Sequence, residues 1–190
     1  MFIITASSLV LVAAVLSRLG AQVTNPAGQI DASKVQIGLA VAPVPLNLQG
    51  KNLAMVGLGS YIVNSTCVDC HSCPQFTANH NPFLGQPLQI NTTNYLAGGR
   101  VFNTTNGSFI SRNLTPEDGL PAGRTLQEFE AIMRSGTDFD NAHPAFPLLQ
   151  VMPWPGYRFL TEGDLQAIYE YLSAIPSASA PSVSCVGFGS

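Results

Sequence analysis

Charged side chains are scarce in this chain. Only 10% of the 190 residues are charged, eight Lys and Arg against eleven Asp and Glu, for a net of −3. There is no basic stripe along which a nucleic-acid backbone could lie, which argues against nucleic acid as a partner. So few charges also leave little field to steer a strongly charged ligand. Repeats of solenoid length are absent, which removes stacked-repeat architectures. Histidine and cysteine are rare as well, three and four residues, and there is a single Trp.

The one long apolar run, residues 2–16, falls short of the ~20 residues a spanning helix needs. It is followed by Leu19-Gly20-Ala21, small residues that suit cleavage after Ala21. Residues 1–21 therefore read as a secretory signal, although no Lys or Arg precedes the run; an uncleaved anchor is the competing reading. The remainder is long enough for one domain with its own core.

Residues 22–50 carry three prolines and no steady helical period, and read as an extended N-terminal arm packed through Ile37, Leu39 and Val41. Residues 51–64 read as a helix whose Gly57 and Gly59 imply close packing, since each glycine costs about 1 kcal/mol there. Residues 74–112 are mostly loop, with a hairpin expected around Asn106-Gly107. Three helix starts follow. Thr115-Pro116-Glu117-Asp118 has a capping threonine and a proline at the first position. Residues 125–128, led by a threonine, are a capping box opening a helix that stops at Gly136, and Thr161-Glu162-Gly163-Asp164 opens a helix that stops at Pro176. In the last helix Leu165, Ile168, Tyr169 and Leu172 form the apolar stripe. Residues 177–190 read as a flexible tail.

Scarce as they are, three of the four cysteines and one histidine crowd into Cys67-Val68-Asp69-Cys70-His71-Ser72-Cys73. A disulfide, a zinc site, a redox dithiol and a haem attachment all use such residues. Zinc needs four ligands, and the second pair would be Cys73 with a distant histidine. A redox dithiol belongs in a βαβ setting, which is not seen. C-x-x-C-H fits covalent haem c, with Cys67 and Cys70 adding to the two vinyl groups and His71 reaching the iron. Met55, Met133, Met152, His80 and His143 are the candidates for the opposite ligand. Met133 lies in an amphipathic helix, where core packing explains it. Met152, in LLQVMPWPGY, sits on a proline-stiffened strap with Trp154 and Tyr157 as walls for the haem, and is the expected ligand. His143, on a loop, is its rival.

At this point the chain resembles the class I c-type cytochromes, and within them the monohaem domains that serve periplasmic and membrane-bound dehydrogenases. The likeness runs from about Gly50 to Pro176 and rests on GSYIVNSTCVDCHS, LAGGRVF, ISRNLTPEDG, RTLQEFEAIMRSG and VMPWPGYRFLTEGDLQAIYEYLSAIP, in that order. The resemblance implies an all-α domain at 51–176 wrapped around one haem, with a loop-rich insertion. It implies Cys67 and Cys70 as thioether anchors and His71 and Met152 as iron ligands. Gly57 or Gly59 with Tyr61 would meet Tyr169 and Leu172 where the first and last helices cross. Pro82 would orient His71 through its carbonyl, and Arg100 and Arg112, helped by Asn113, would meet the haem propionates unless they are merely solvated. Cys73 and Cys185 lie outside the family pattern. Two cysteines left over in an oxidising compartment are expected to pair.

The expected function is one-electron transfer in the periplasm of a bacterium, or another exported setting. Its redox partners would be a dehydrogenase, a quinol-oxidising complex or a terminal oxidase, met as a monomer or in transient complexes with no transmembrane span after cleavage. On this reading the chain is no enzyme. Two other readings stand beside it: a haem enzyme subunit with a labile Met152, doing peroxidase-like or sulfur-compound chemistry, and a haem-stacking filament subunit.

Overall fold

The computed structural model describes residues 30–182 and 184–186. The signal expected at 1–21 lies outside them. No helix among the described residues is long and apolar enough to cross a membrane.

Part of the supposedly extended arm is helical. Helix α1, Ala32–Val41, starts where the Asp31 side chain accepts the Ser33 N–H. The arm's prolines, Pro26, Pro43 and Pro45, flank this helix and do not interrupt it. Of its three expected anchors only Leu39 packs on the core; Ile37 and Val41 are exposed. The contact is instead made by backbone. A Cβ on Gly38 would stand 1.9 Å from the Gly57 carbonyl oxygen, and one on Gly57 would stand 2.7 Å from Val35. The Ser60 hydroxyl, on the second helix, donates to the Gly38 carbonyl at 2.7 Å.

Helix α2, Leu53–Thr66, begins at Asn52, whose side chain accepts the Ala54 and Met55 N–H groups. Cys67 closes it and opens the single turn α3, Val68–His71. Helix α4, Leu126–Ser135, has the expected Thr125/Glu128 capping box and ends at Gly136 in the left-handed conformation. A short turn α5, Trp154–Tyr157, leads to α6, Glu162–Leu172, capped by Thr161 and Asp164. Helices α2 and α6 cross on Gly59, where a Cβ would stand 1.9 Å from the Ala167 carbonyl oxygen and 2.8 Å from Tyr171 Cβ. Tyr171, not Tyr169, is the buried tyrosine of α6, and Tyr169 sends its hydroxyl to the Arg124 carbonyl at 2.9 Å. Val56, Val63, Phe129, Leu165, Ile168 and Leu172 form the centre of the core. Within it Tyr95 donates to Asn64 at 2.8 Å and meets the Tyr171 hydroxyl at 2.8 Å, so both buried phenols are satisfied.

The all-α expectation is overturned, for the chain also forms two small sheets. Strands β1, Arg100–Thr104, and β2, Gly107–Ile110, make the expected hairpin. Its turn residues are Thr105 and Asn106, while Gly107 pairs with Thr104 and takes φ +128°. The helix start at Thr115 is instead a second hairpin, β3, Pro116–Glu117, and β4, Leu120–Pro121. Asp118 and Gly119 between them have φ of +50° and +80°, and turn chemistry of this kind outweighs the capping pattern. The tail is not free either. Strand β5, Cys185–Val186, lies parallel to β1, with Arg100 opposite Cys185.

Candidate haem site

The end of α2 and the turn of α3 place Cys67, Cys70 and His71 on one wall of a cavity of about 390 Å³. The turn is held by Cys70 N–H and His71 N–H, both donating to the Cys67 carbonyl at 3.2 and 3.0 Å. His71 Nδ1 lies 2.8 Å from the Arg112 carbonyl oxygen. A carbonyl only accepts, so Nδ1 carries the proton and Nε2 keeps its lone pair, the state a metal ligand needs. The orienting carbonyl is therefore that of Arg112 and not of Pro82. Pro82 begins a one-turn 3₁₀ helix, and its own carbonyl accepts the Gly85 N–H.

Of the five candidates for the opposite ligand, Met133, Met152 and His143 line this cavity. Met55 is buried among the helices, and His80 sits on an exposed turn with Nδ1 against the Ala78 carbonyl. Met133 is 3% exposed and belongs to the core. Met152 belongs to the strap between α4 and α5. The strap is fixed at its base, where Leu149 N–H donates to the Gly136 carbonyl at 2.8 Å. Trp154 takes no part in lining the cavity. Its indole ring lies on Gly136, where a Cβ would stand 2.4 Å from Cε2 and Nε1, and its N–H donates to the Leu149 carbonyl at 3.2 Å. Beyond α5, Arg134 holds the link to α6 by donating to the carbonyls of Arg158 and Leu160. Tyr157 does line the cavity, donating to the Thr66 carbonyl at 3.3 Å, and burial pushes its phenol up to about 12.

Of the three groups expected at the propionates, Arg112 alone lines the cavity. Arg100 is fully buried behind the motif, donating to the Ser72 carbonyl at 2.9 Å. Asn113 ties down the tail, donating to the Ala178 carbonyl at 2.7 Å. The residue that sequence reasoning missed is Arg124, which joins Arg112 on the cavity wall, both paired with Asp140. Its only signal was a basic residue just before the capping Thr125, where capping already explained the stretch. Arg124 Nε is a buried donor with no hydrogen-bond partner among the described residues. Asp138 lines the same cavity, so the two guanidiniums stand beside two carboxylates, and burial followed by Arg124 lowers the pKa of Arg112. The orphaned guanidinium donor of Arg124 on that wall fits a cofactor that carries carboxylates.

The sulfurs divide into two pairs. Cys73 and Cys185 meet at bonding distance, with Cα atoms 5.9 Å apart. That removes Cys73 from a zinc site. Cys67 and Cys70 are free thiols facing the cavity. Burial pushes Cys67 up to about 11 and also raises Cys70, next helped by Asp69. A redox dithiol needs the opposite shift, toward thiolate. The donor set as a whole fits haem c: two thiols, an imidazole with a free Nε2, and a thioether from the facing strap.

No protein-family profile matches the chain. Among curated proteins it is 32% identical over 136 residues to the cytochrome c subunit of a quinone-dependent alcohol dehydrogenase from Gluconacetobacter polyoxogenes, a match covering 70% of this chain and 24% of that protein. It is 30% identical over 124 residues to the gluconate 2-dehydrogenase cytochrome c subunit of Pantoea cypripedii, covering 63% of this chain and 23% of that protein. It is 32% identical over 90 residues to the fructose dehydrogenase cytochrome subunit of Gluconobacter japonicus, covering 46% and 18%. The chain thus spans a quarter or less of the length of these relatives, and what it resembles in them is a portion of cytochrome subunits that serve dehydrogenases.

Proposed function

We propose that residues 51–176, with the arm helix and tail packed on them, form a monohaem cytochrome c unit that carries single electrons for a dehydrogenase. The observation that carries this reading is that the C-x-x-C-H residues Cys67, Cys70 and His71 line one cavity together with Met152. Cys67 and Cys70 would bind the haem covalently, His71 and Met152 would ligate its iron, and Arg112 and Arg124 would face its carboxylates. Haem supplies a one-electron couple, and methionine opposite histidine favours the ferrous state and raises its potential. The protein's part is to hold the imidazole tautomer through the Arg112 carbonyl and to pin the methionine strap on Gly136. Pre-set ligands keep geometry constant between oxidation states and leave no open position for O₂ or substrate.

The relatives' names support a dehydrogenase as electron donor, with this unit an electron-transfer component and not the catalytic one. The apolar run at 2–16 supports export, into an oxidising compartment where Cys73 and Cys185 form a disulfide. The test is the purified protein from a host with haem-attachment machinery. One haem per chain by intact mass, a low-spin c-type spectrum, a weak red ferric band and no prompt CO binding are expected. A protein with no covalent haem overturns the reading; prompt CO binding in the ferrous state means an open iron.

A further inference from the structure

Besides His71 and the core residue Met133, the cavity lining offers two further iron-ligating side chains, Met152 and His143, and the proposal above uses one of them. His143 lines the same wall system as Met152. Its ring is half-buried and rests on Phe109 of β2, with centroids 4.5 Å apart. Among the described residues no group hydrogen-bonds either ring nitrogen of His143. Neither nitrogen is among the buried atoms left without a partner, so both reach water and leaving this resting place costs the ring no hydrogen bond to protein.

The strap also divides mechanically between the two donors. Residues 137–138 and 147–148 form a closed base: Asp138 N–H donates to the Pro147 carbonyl at 3.1 Å, and Thr137 bridges Leu148. His143 stands on the loop above that base, tied on one side by Asp140 to Arg112, Arg124 and Asp138 and on the other by the Phe146 N–H to His143 carbonyl bond at 2.7 Å. Met152 stands beyond the base, on the part pinned by Leu149 and Trp154. Rearranging the His143 loop therefore breaks none of the bonds that hold Met152 in place.

We infer that His143 is a reserve iron ligand, parked on Phe109, that closes the iron when Met152 is absent or displaced. This rests on the haem reading above. Nitrogen in place of sulfur would keep the iron six-coordinate and lower its potential, because the softer methionine is what raises it. The haem would then stay shut to small ligands in either state, at two different potentials.

The test compares holoproteins carrying Met152→Ala, Met152→Leu as a volume-keeping companion, His143→Phe, and Met152→Ala with His143→Phe. Covalent haem is checked by mass and folding by far-ultraviolet circular dichroism. The single methionine variants are expected to lose the red ferric band yet remain low-spin and slow to bind CO. The double variant is expected to be high-spin, to bind CO promptly, and to bind added imidazole roughly tenfold or more tightly, because no internal ligand competes. If the methionine variants are already high-spin and match the double variant in CO and imidazole binding, His143 holds no reserve role, and the Met152 assignment stands. If Met152→Ala keeps the wild-type spectrum while His143→Phe alone opens the iron, both assignments fall. Absence of covalent haem overturns the haem reading and this inference together.

Discussion

Replacing Gly136 by alanine tests how the distal strap is held. Gly136 ends α4 at φ +70°, ψ 18°. An alanine in that left-handed conformation costs about 1–2 kcal/mol. Its Cβ would also stand 2.4 Å from Trp154 Cε2 and Nε1 and 2.6 Å from Cδ1, a rigid ring that has to shift. Overpacking of that kind costs about 1–3 kcal/mol. Together the loss is about 2–5 kcal/mol, and the part that comes from the ring also moves the strap carrying Met152. Denaturation of the holoprotein followed at the haem band reads the stability, and the intensity of the red ferric band reads the methionine–iron bond that the proposed function calls for. In a Trp154→Ala background the same glycine change should lose only its backbone part, so a double-mutant cycle should give a coupling of about 1–3 kcal/mol. An additive cycle, or a Gly136→Ala protein with wild-type midpoint and intact red band, would refute the seating of Trp154 on Gly136 and the pinned strap with it.

Gly59→Ala drives a methyl into the Ala167 carbonyl 1.9 Å away, so α2 and α6 must separate, and a loss of about 3 kcal/mol or more is expected in urea denaturation. Cys185→Ser opens a link between residues 112 apart, for which chain entropy gives a ceiling of about 4.7 kcal/mol; comparison with the reduced wild type should show the two to be alike. Burial raises the phenols of Tyr95 and Tyr171 above their usual value of about 10. Unfolded tyrosines then lose protons that the folded ones keep, so stability is full below pH ~10 and falls as pH rises beyond it. The fall should be shallower in Tyr171→Phe, which also loses about 1–2 kcal/mol at neutral pH by leaving the Tyr95 hydroxyl short of a partner.

Where a residue's chemistry is local, the sequence was a good guide. The helix starts at Thr125 and Thr161 formed as read, because their capping bonds close within four residues. The same holds for the β1–β2 hairpin, although its turn sits one residue earlier than Asn106-Gly107 suggests. Gly57 and Gly59 announced close packing, yet not its partners. Gly57 meets an arm helix that the flanking prolines had concealed, and its counterpart Gly38 carries no signal until the two backbones are seen together. Thr115 failed because two local rules competed, and the Asp118-Gly119 turn prevailed over the cap. In the site, Cys67, Cys70, His71, Met152, Arg112 and Tyr157 come together around one cavity. Pro82, Arg100, Asn113 and Trp154 do not. Trp154 was placed by its nearness to Met152, Pro82 by its spacing after the motif, and Arg100 and Asn113 by the family resemblance; the last two make bonds that only the three-dimensional course of the chain could reveal. Arg124 was missed for the converse reason, since it reaches the cavity from the far side of the second hairpin.

The two glycine crossings of α2 bear on where this unit can be cut. One side of the helix carries the backbone of α6 at Gly59, and another carries the backbone of α1 at Gly57. A fragment designed to start at Gly50, where the family resemblance begins, would leave Gly57 and Ser60 bare to water along the helix whose last turn delivers Cys67. One beginning at Asp31 retains the cap, the glycine seam and the Ser60 bond. For grafting this unit onto another protein, the graft point therefore lies ahead of the arm helix.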